Sequence, residues 1–228
     1  KEPEKLIVSH VESMSTWEFF MARTRSSAKA AGTSFETGCA KFLTEQLHTK
    51  VTRMPKNGNR DIGDLYGVEF AGEPMVVECK NPGKDSSWSI SGWWKETLTE
   101  AKNMDTEYGV LVVKRYRKNV PEALCVVDSD MWDKLLGGKV LEPHKVPSVS
   151  FTKWLELIDE HGSIETTKRG TTGSWIVFPL HKLVEIINLS RIPQEVVMSI
   201  DELKSLRIRG SLGVYDSKGL PVNITLKE

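Results

Sequence analysis

The chain has 228 residues, 39% of them hydrophobic and 27% charged, with 31 Lys and Arg set against 31 Asp and Glu. That length suffices to bury a sizeable core, and the zero net charge excludes attraction to nucleic acid by overall charge, leaving only local basic clusters for that purpose. No apolar run approaches the length of a membrane span and the Lys- and Glu-bearing start lacks a signal-peptide pattern, so the expectation is a cytosolic chain without a membrane partner.

Residues 1 to about 30 carry Leu6, Ile7, Val11, Trp17, Phe19, Phe20 and Met21, with Ser15 and Thr16 as cap candidates, and predict a helical extension over 1–31. A clearer helix follows: Phe35, Cys39, Phe42, Leu43 and Leu47 hold helical spacing, and Thr33 or Ser34 can cap it. Glu36 then falls in the first turn. It is open to two readings, a carboxylate favoured there by the helix dipole or one that points into a cleft. Residues 51–60 predict a short strand running into a basic loop with Asn57-Gly58 at its turn.

Asp64-Leu65-Tyr66-Gly67-Val68-Glu69-Phe70 and Met75-Val76-Val77-Glu78-Cys79-Lys80 flank a Gly-containing turn and predict two adjacent antiparallel strands. Alternation puts Glu78 and Lys80 on one face and Val77 and Cys79 on the other. A hairpin lays the start of its first strand beside the end of its second, which carries Asp64 towards Glu78. Two carboxylates and one amine then converge, an arrangement able to hold Mg²⁺ against phosphate, with the lysine orienting water or offsetting charge. Taken alone, an Asp and a Glu-x-Lys arise by chance in most chains of this size, and Lys80 can equally be a solvated partner of Glu78. Against chance stands the context, an acid and a lysine closing an apolar strand.

Asn81-Pro82-Gly83 ends that strand. A helix is expected from Ser91 to Met104, with Trp94, Leu98, Ala101 and Met104 inward and Trp93 open to either side. Gly109–Arg115 reads as a strand buried on both faces until its basic end, Leu124–Val127 as another, and Ser129–Leu136 as a short helix closed by Gly137-Gly138. This succession predicts a mixed α/β layer structure, helices covering a sheet. The Pro-, His- and Lys-rich stretch from Leu141 to Pro147 marks a boundary, after which helix 151–160, strand 174–178, helix 180–189 and a terminal hairpin over 214–226 form a smaller α+β region. Lys168-Arg169-Gly170-Thr171-Thr172-Gly173 lacks the lysine placement of a P-loop and reads as an exposed loop. Cys39, Cys79 and Cys125 lie in apolar-periodic segments without CxxC spacing, so buried free thiols in a reducing compartment are expected.

Phe35-Glu36, Arg60-Asp61-Ile62-Gly63-Asp64, Glu78-Cys79-Lys80-Asn81, the Trp94 helix and Val112-Val113-Lys114-Arg115 together resemble the PD-(D/E)XK nuclease superfamily, closest to its phage-type Holliday junction resolvase-like branch, over residues 32–138. The resemblance implies a restriction-endonuclease-like mixed sheet with an αβββαβ core over 32–140, and a C-terminal region over 141–228 of unknown role. It further implies a Mg²⁺-dependent endonuclease, with Mn²⁺ able to substitute, that cuts branched DNA as a homodimer in a bacterial or phage-infected host cytosol. By the same carry-over Asp64 and Glu78 are metal ligands joined by the carbonyl of Cys79, Lys80 handles the attacking water, and Glu36 is the additional helix carboxylate. Gly63 stands where the superfamily's name has proline, and Asp61 is a rival to Asp64. Arg60, Lys114, Arg115, Arg117 and Lys118 are candidates for DNA-backbone contacts, with solvated surface the equal alternative for each. Two other functions stay open, a restriction-like or repair nuclease acting on duplex or single-stranded DNA, and a DNA-binding protein with a vestigial site.

Overall fold

The computed structural model describes residues 24–54, 62–83, 88–136, 142–148, 150–168 and 173–191, together with short strands at 196–198, 207–208, 214–215 and 224–226. The expected helical extension, apart from its last residues, lies outside these, as do Arg60 and Asp61.

Helix α1 (Arg25–Leu47) begins at Thr24, whose hydroxyl accepts a hydrogen bond from the Ser27 amide at 3.2 Å. Neither Thr33 nor Ser34 caps it, and Glu36 sits three turns inside the helix, so the first-turn reading of Glu36 is overturned. Gly32-Thr33-Ser34 has the composition of a helix stop, but an interior glycine costs only about 1 kcal/mol relative to alanine. Tertiary packing outweighs that: a Cβ on Gly38 would stand 3.0 Å from Val120 Cγ2, so the glycine lets the helix approach the 3-10 turn at Val120–Glu122. Phe35, Cys39, Leu43 and Leu47 are buried, as their spacing requires.

Strands β1 (Thr52–Arg53), β2 (Leu65–Tyr66), β3 (Glu69–Phe70) and β4 (Glu73–Lys80) follow. The predicted hairpin is present, with Ala71 and Gly72 at φ 52° and 87° forming the two-residue turn between Phe70 and Glu73. Its first strand is broken at Gly67, whose φ is 93° and where a Cβ would lie 2.3 Å from the Lys50 carbonyl oxygen. β2 and β3 therefore pair separately with β4.

Helix α2 (Ile90–Met104) crosses from β4 to the parallel strand β5 (Tyr108–Val113), and β6 (Leu124–Asp128) and helix α3 (Ser129–Leu136) come next. The inward stripe of α2 differs from the expected one. Trp94, Thr97, Glu100 and Ala101 face in, while Leu98 is 41% exposed. Trp94 is core: its indole N–H donates to Asp128 Oδ2 at 2.9 Å and its ring meets Trp175 edge-on. Trp93 is half-buried beside Trp88, ring centroids 6.0 Å apart.

Beyond the expected boundary come β7 (His144–Val146), α4 (Phe151–His161), β8 (Ile164–Thr167), β9 (Ser174–Pro179) and α5 (Leu180–Ser190). β9 pairs antiparallel with β6 over five residues, so one sheet runs β1-β2-β4-β5-β6-β9-β8-β7 across residues 137–141. β7 and β8 were missed in the sequence because three and four residues flanked by Pro, His and Gly carry too little alternation to register. Among the described residues the strands expected to form the terminal hairpin pair elsewhere: β12 (Val214–Tyr215) with β11 (Arg207–Ile208), and β13 (Ile224–Leu226) in parallel with β10 (Val196–Met198), while residues 216–223 lie outside them. All three cysteines are buried and free. Among the described residues no helix is long and apolar enough to cross a membrane.

Candidate active site

The short second strand creates the site. β2 meets β4 only at Leu65 opposite Val77, so among the described residues the last residues of β4 have β5 on one side and no strand on the other. The chain leading into β2 fills that gap. The Asp64 amide donates to the Val77 carbonyl at 3.1 Å, and the amide of Cys79, which a longer strand would have paired, donates to Asp64 Oδ2 at 2.9 Å. One oxygen of Asp64 is thereby anchored at the sheet edge. Gly63 prepares the turn: its φ is 95°, which proline, fixed near −65°, cannot adopt, and this explains why glycine stands there.

Glu78 and Lys80 leave the same face of β4, and Lys80 Nζ lies 2.6 Å from Glu78 Oε1. The same ammonium reaches Glu96 Oε2 on α2 at 2.8 Å. Cys79 points to the other face, where its thiol lies buried against Cys39, and both that contact and burial push it well above the usual thiol range. Any bond from residue 79 to a cation thus falls to its backbone carbonyl.

The electrostatics are unbalanced. Burial, then the neighbouring Asp64 charge, push Glu78 up to about 9 despite its contact with Lys80. Burial and the Glu36 carboxylate also raise Asp64, against the opposing bond from Cys79. Lys80 is held above its ordinary value: burial works against the ammonium, but its bonds to Glu78 and Glu96 outweigh that. Burial and like charge both favour a proton on the pair formed by half-buried Asp64 and buried Glu78, with Lys80 opposing from the Glu78 side. A divalent cation would supply the positive charge that this pair lacks.

Glu36 extends from α1 to a position from which its charge raises Asp64. Its Oε2 is held by Arg53 of β1, at 2.7 Å from both Nε and Nη2. Among the described residues no three His, Cys, Asp or Glu side chains converge as a ready-made cage.

The basic candidates divide. Lys114 follows β5 beside the site: its amide donates to the Lys80 carbonyl at 2.9 Å, and its Nζ bonds the Lys118 carbonyl and lies 5.6 Å over the Phe35 ring. Arg117 is exposed, stacked on the exposed Tyr116. Lys118 pairs with Glu122 at 3.0 Å. Arg115 is a correction. It is buried, forked onto both Asp159 oxygens at 2.8 Å, and belongs to the packing of α4 rather than to a DNA surface. Lys168 likewise folds inward, 4.3 Å over the Trp175 ring and 3.4 Å from Asp128. Arg53, Glu96 and Glu100 were missed as members of the site's surroundings. Glu100 carried a readable signal, since it stands four residues before Met104, an expected inward residue of the same helix.

A mixed sheet flanked by helices, with an acid entering one strand and Glu-x-Lys closing the next, defines a restriction-endonuclease-like nuclease fold. The model of the family described as phage putative PDDEXK endonuclease matches residues 27–154, more than half of the chain, and the chain belongs to that family. No curated protein and no solved structure matches it.

Proposed function

We propose that this nuclease is a divalent-metal-dependent DNA endonuclease that hydrolyses phosphodiester bonds in branched DNA, with Asp64, Glu78 and Lys80 as its reacting centre. One observation carries the metal dependence: half-buried Asp64, anchored by the Cys79 amide, stands beside buried Glu78, and Lys80 contacts only the latter. Asp64, Glu78 and the Cys79 carbonyl would hold Mg²⁺ or Mn²⁺, with Glu36 adding negative charge behind Asp64. When bound, such an ion supplies Lewis-acid activation of water and phosphate. The chain's own groups do the rest. The Cys79 amide fixes Asp64, Arg53 fixes Glu36, and the Lys80 ammonium orients the attacking water or offsets phosphate charge. Lys114, Arg117 and Lys118 on the adjoining loop, with Arg60 four residues before Asp64 in the sequence, contact the DNA backbone. Branched DNA follows from the sequence resemblance, and two strands cut at a junction call for two sites and so for a homodimer. Buried free thiols support a reducing cytosol.

The test is cleavage of a four-way junction, a flap and a linear duplex at matched salt with Mg²⁺ or Mn²⁺, comparing the wild type with Asp64→Asn and Lys80→Ala. The expected result is junction cleavage by the wild type and retained binding without cutting by both variants. Equal cutting of linear duplex would replace the branched substrate with a restriction- or repair-type one. No cleavage of any DNA by the wild type would leave a DNA-binding protein with a vestigial site.

A further inference from the structure

Lys80 has two carboxylates on its ammonium, and only one of them belongs to the acid pair. Glu78 Oε1 is 2.6 Å away on the same strand, and Glu96 Oε2 is 2.8 Å away on the facing helix. Glu96 is set there by its helix: Trp94 and Thr97 on either side of it are buried, and a Cβ on Gly109 would come within 3.1 Å of Thr97 Cγ2, so α2 packs closely on β5 at this level. The Glu96 side chain itself is 55% exposed, with no packing duty of its own.

If Asp64 and Glu78 held a divalent cation, the Glu78 carboxylate would be withdrawn from Lys80 and the ammonium would be repelled. Without a second acceptor, Lys80 would either stay on Glu78 and compete with the ion or turn away from the site. We propose that Glu96 is a positioning residue, the carboxylate that retains Lys80 beside the site when a divalent cation occupies Asp64 and Glu78. The inference rests on the metal-binding reading above. It places Glu96 outside the ligand set: its effect on the ion passes through Lys80.

Calorimetric titration of the full chain with Mn²⁺ tests this, using the wild type, Glu96→Gln, Lys80→Met, the Lys80→Met/Glu96→Gln double variant and Asp64→Asn/Glu78→Gln. Glu96→Gln is expected to bind Mn²⁺ roughly fivefold more weakly, the scale of a partly exposed ion pair. Lys80→Met should bind at least as tightly as the wild type, and adding Glu96→Gln to it should change affinity by less than about twofold, because the coupling partner is gone. In cleavage assays the Mn²⁺ concentration for half-maximal rate should rise by the same factor in Glu96→Gln while KM for DNA holds, a split that a structural lesion would not give. Wild-type affinity in Glu96→Gln, or an equal loss in the Lys80→Met background, overturns the role of Glu96 alone. Wild-type binding that is absent, or that survives Asp64→Asn/Glu78→Gln, overturns the metal reading and this inference together.

Discussion

Two charged clusters lie at the ends of neighbouring strands, built from the same residue types. Just past β5, Arg115 is buried and forked onto Asp159, whose carboxyl is held below its ordinary value first by that hydrogen bond. At the end of β4, Lys80 faces Glu78 at a shorter distance, yet Glu78 is pushed far up. The difference is stoichiometry. The Arg115 guanidinium, with Lys118 4.0 Å from the same carboxylate, closes the charge on half-exposed Asp159, whereas one ammonium is shared among Glu78, Glu96 and the nearby Asp64. A closed pair contributes to folding; an excess of buried acid is tolerated where a cation is to be bound.

The sharpest way to break the contrast is to neutralise each cluster in turn. Asp64→Asn is expected to lower the cleavage rate by at least about a hundredfold, the scale for losing an essential electrostatic group. Its metal-free melting temperature should stay level or rise, because one of two repelling acids is gone. Asp159→Ala should do the reverse. It leaves a buried guanidinium unpaired and should cost roughly 2–3 kcal/mol in denaturant unfolding, below the usual figure for a fully buried pair because Asp159 is half exposed. An Asp64→Asn loss of stability as large as that of Asp159→Ala would erase the distinction.

A smaller effect separates the clusters by pH. Glu78 rises from an ordinary 4.5 to about 9, so the fold favours its protonated form. The stability tied to that proton is fully present below 4.5 and is lost as pH rises through about 9. The metal-free melting temperature should therefore fall between pH 5 and 9, Glu78→Gln should flatten the fall, and Mg²⁺ should oppose it at the alkaline end. Differential scanning calorimetry across that range checks all three. The smallest effect lies on the outer loop. Lys118→Ala removes exposed pairs with Glu122 and Asp159 and should leave the denaturant midpoint nearly unchanged. Its mark should appear in DNA binding, where the slope of log K against log salt falls by about one if Lys118 touches a phosphate.

The candidate site was legible where it depends on alternation and adjacency. Glu78 and Lys80 share a face because they are two apart on a strand, and Asp64 reaches them because a hairpin closes. Arg115 was not legible. Its neighbours Lys114, Arg117 and Lys118 have the same composition, and only the docking of α4 decides which of the four turns inward. Glu36 was half legible: its partner Arg53 comes from a strand seventeen residues on, and helix start signals at Thr33 and Ser34 were outweighed by packing against the 3-10 turn.

By itself the amino-acid order determined the type and succession of the elements from α1 to α3, though not where α1 starts, the break at Gly67 or the inward stripe of α2, since apolar periods of 2 and 3.6 are properties of neighbouring residues. It also determined the pairing of an acid with Glu-x-Lys across a tight turn. Only the tertiary structure decided that β9 would extend the same sheet past residue 140, that Glu96 would stand over Lys80, and that the acids would outnumber the charge available to them. Those outcomes depend on which elements pack together, and burial and Coulomb energies are set by distances that no run of neighbouring residues contains.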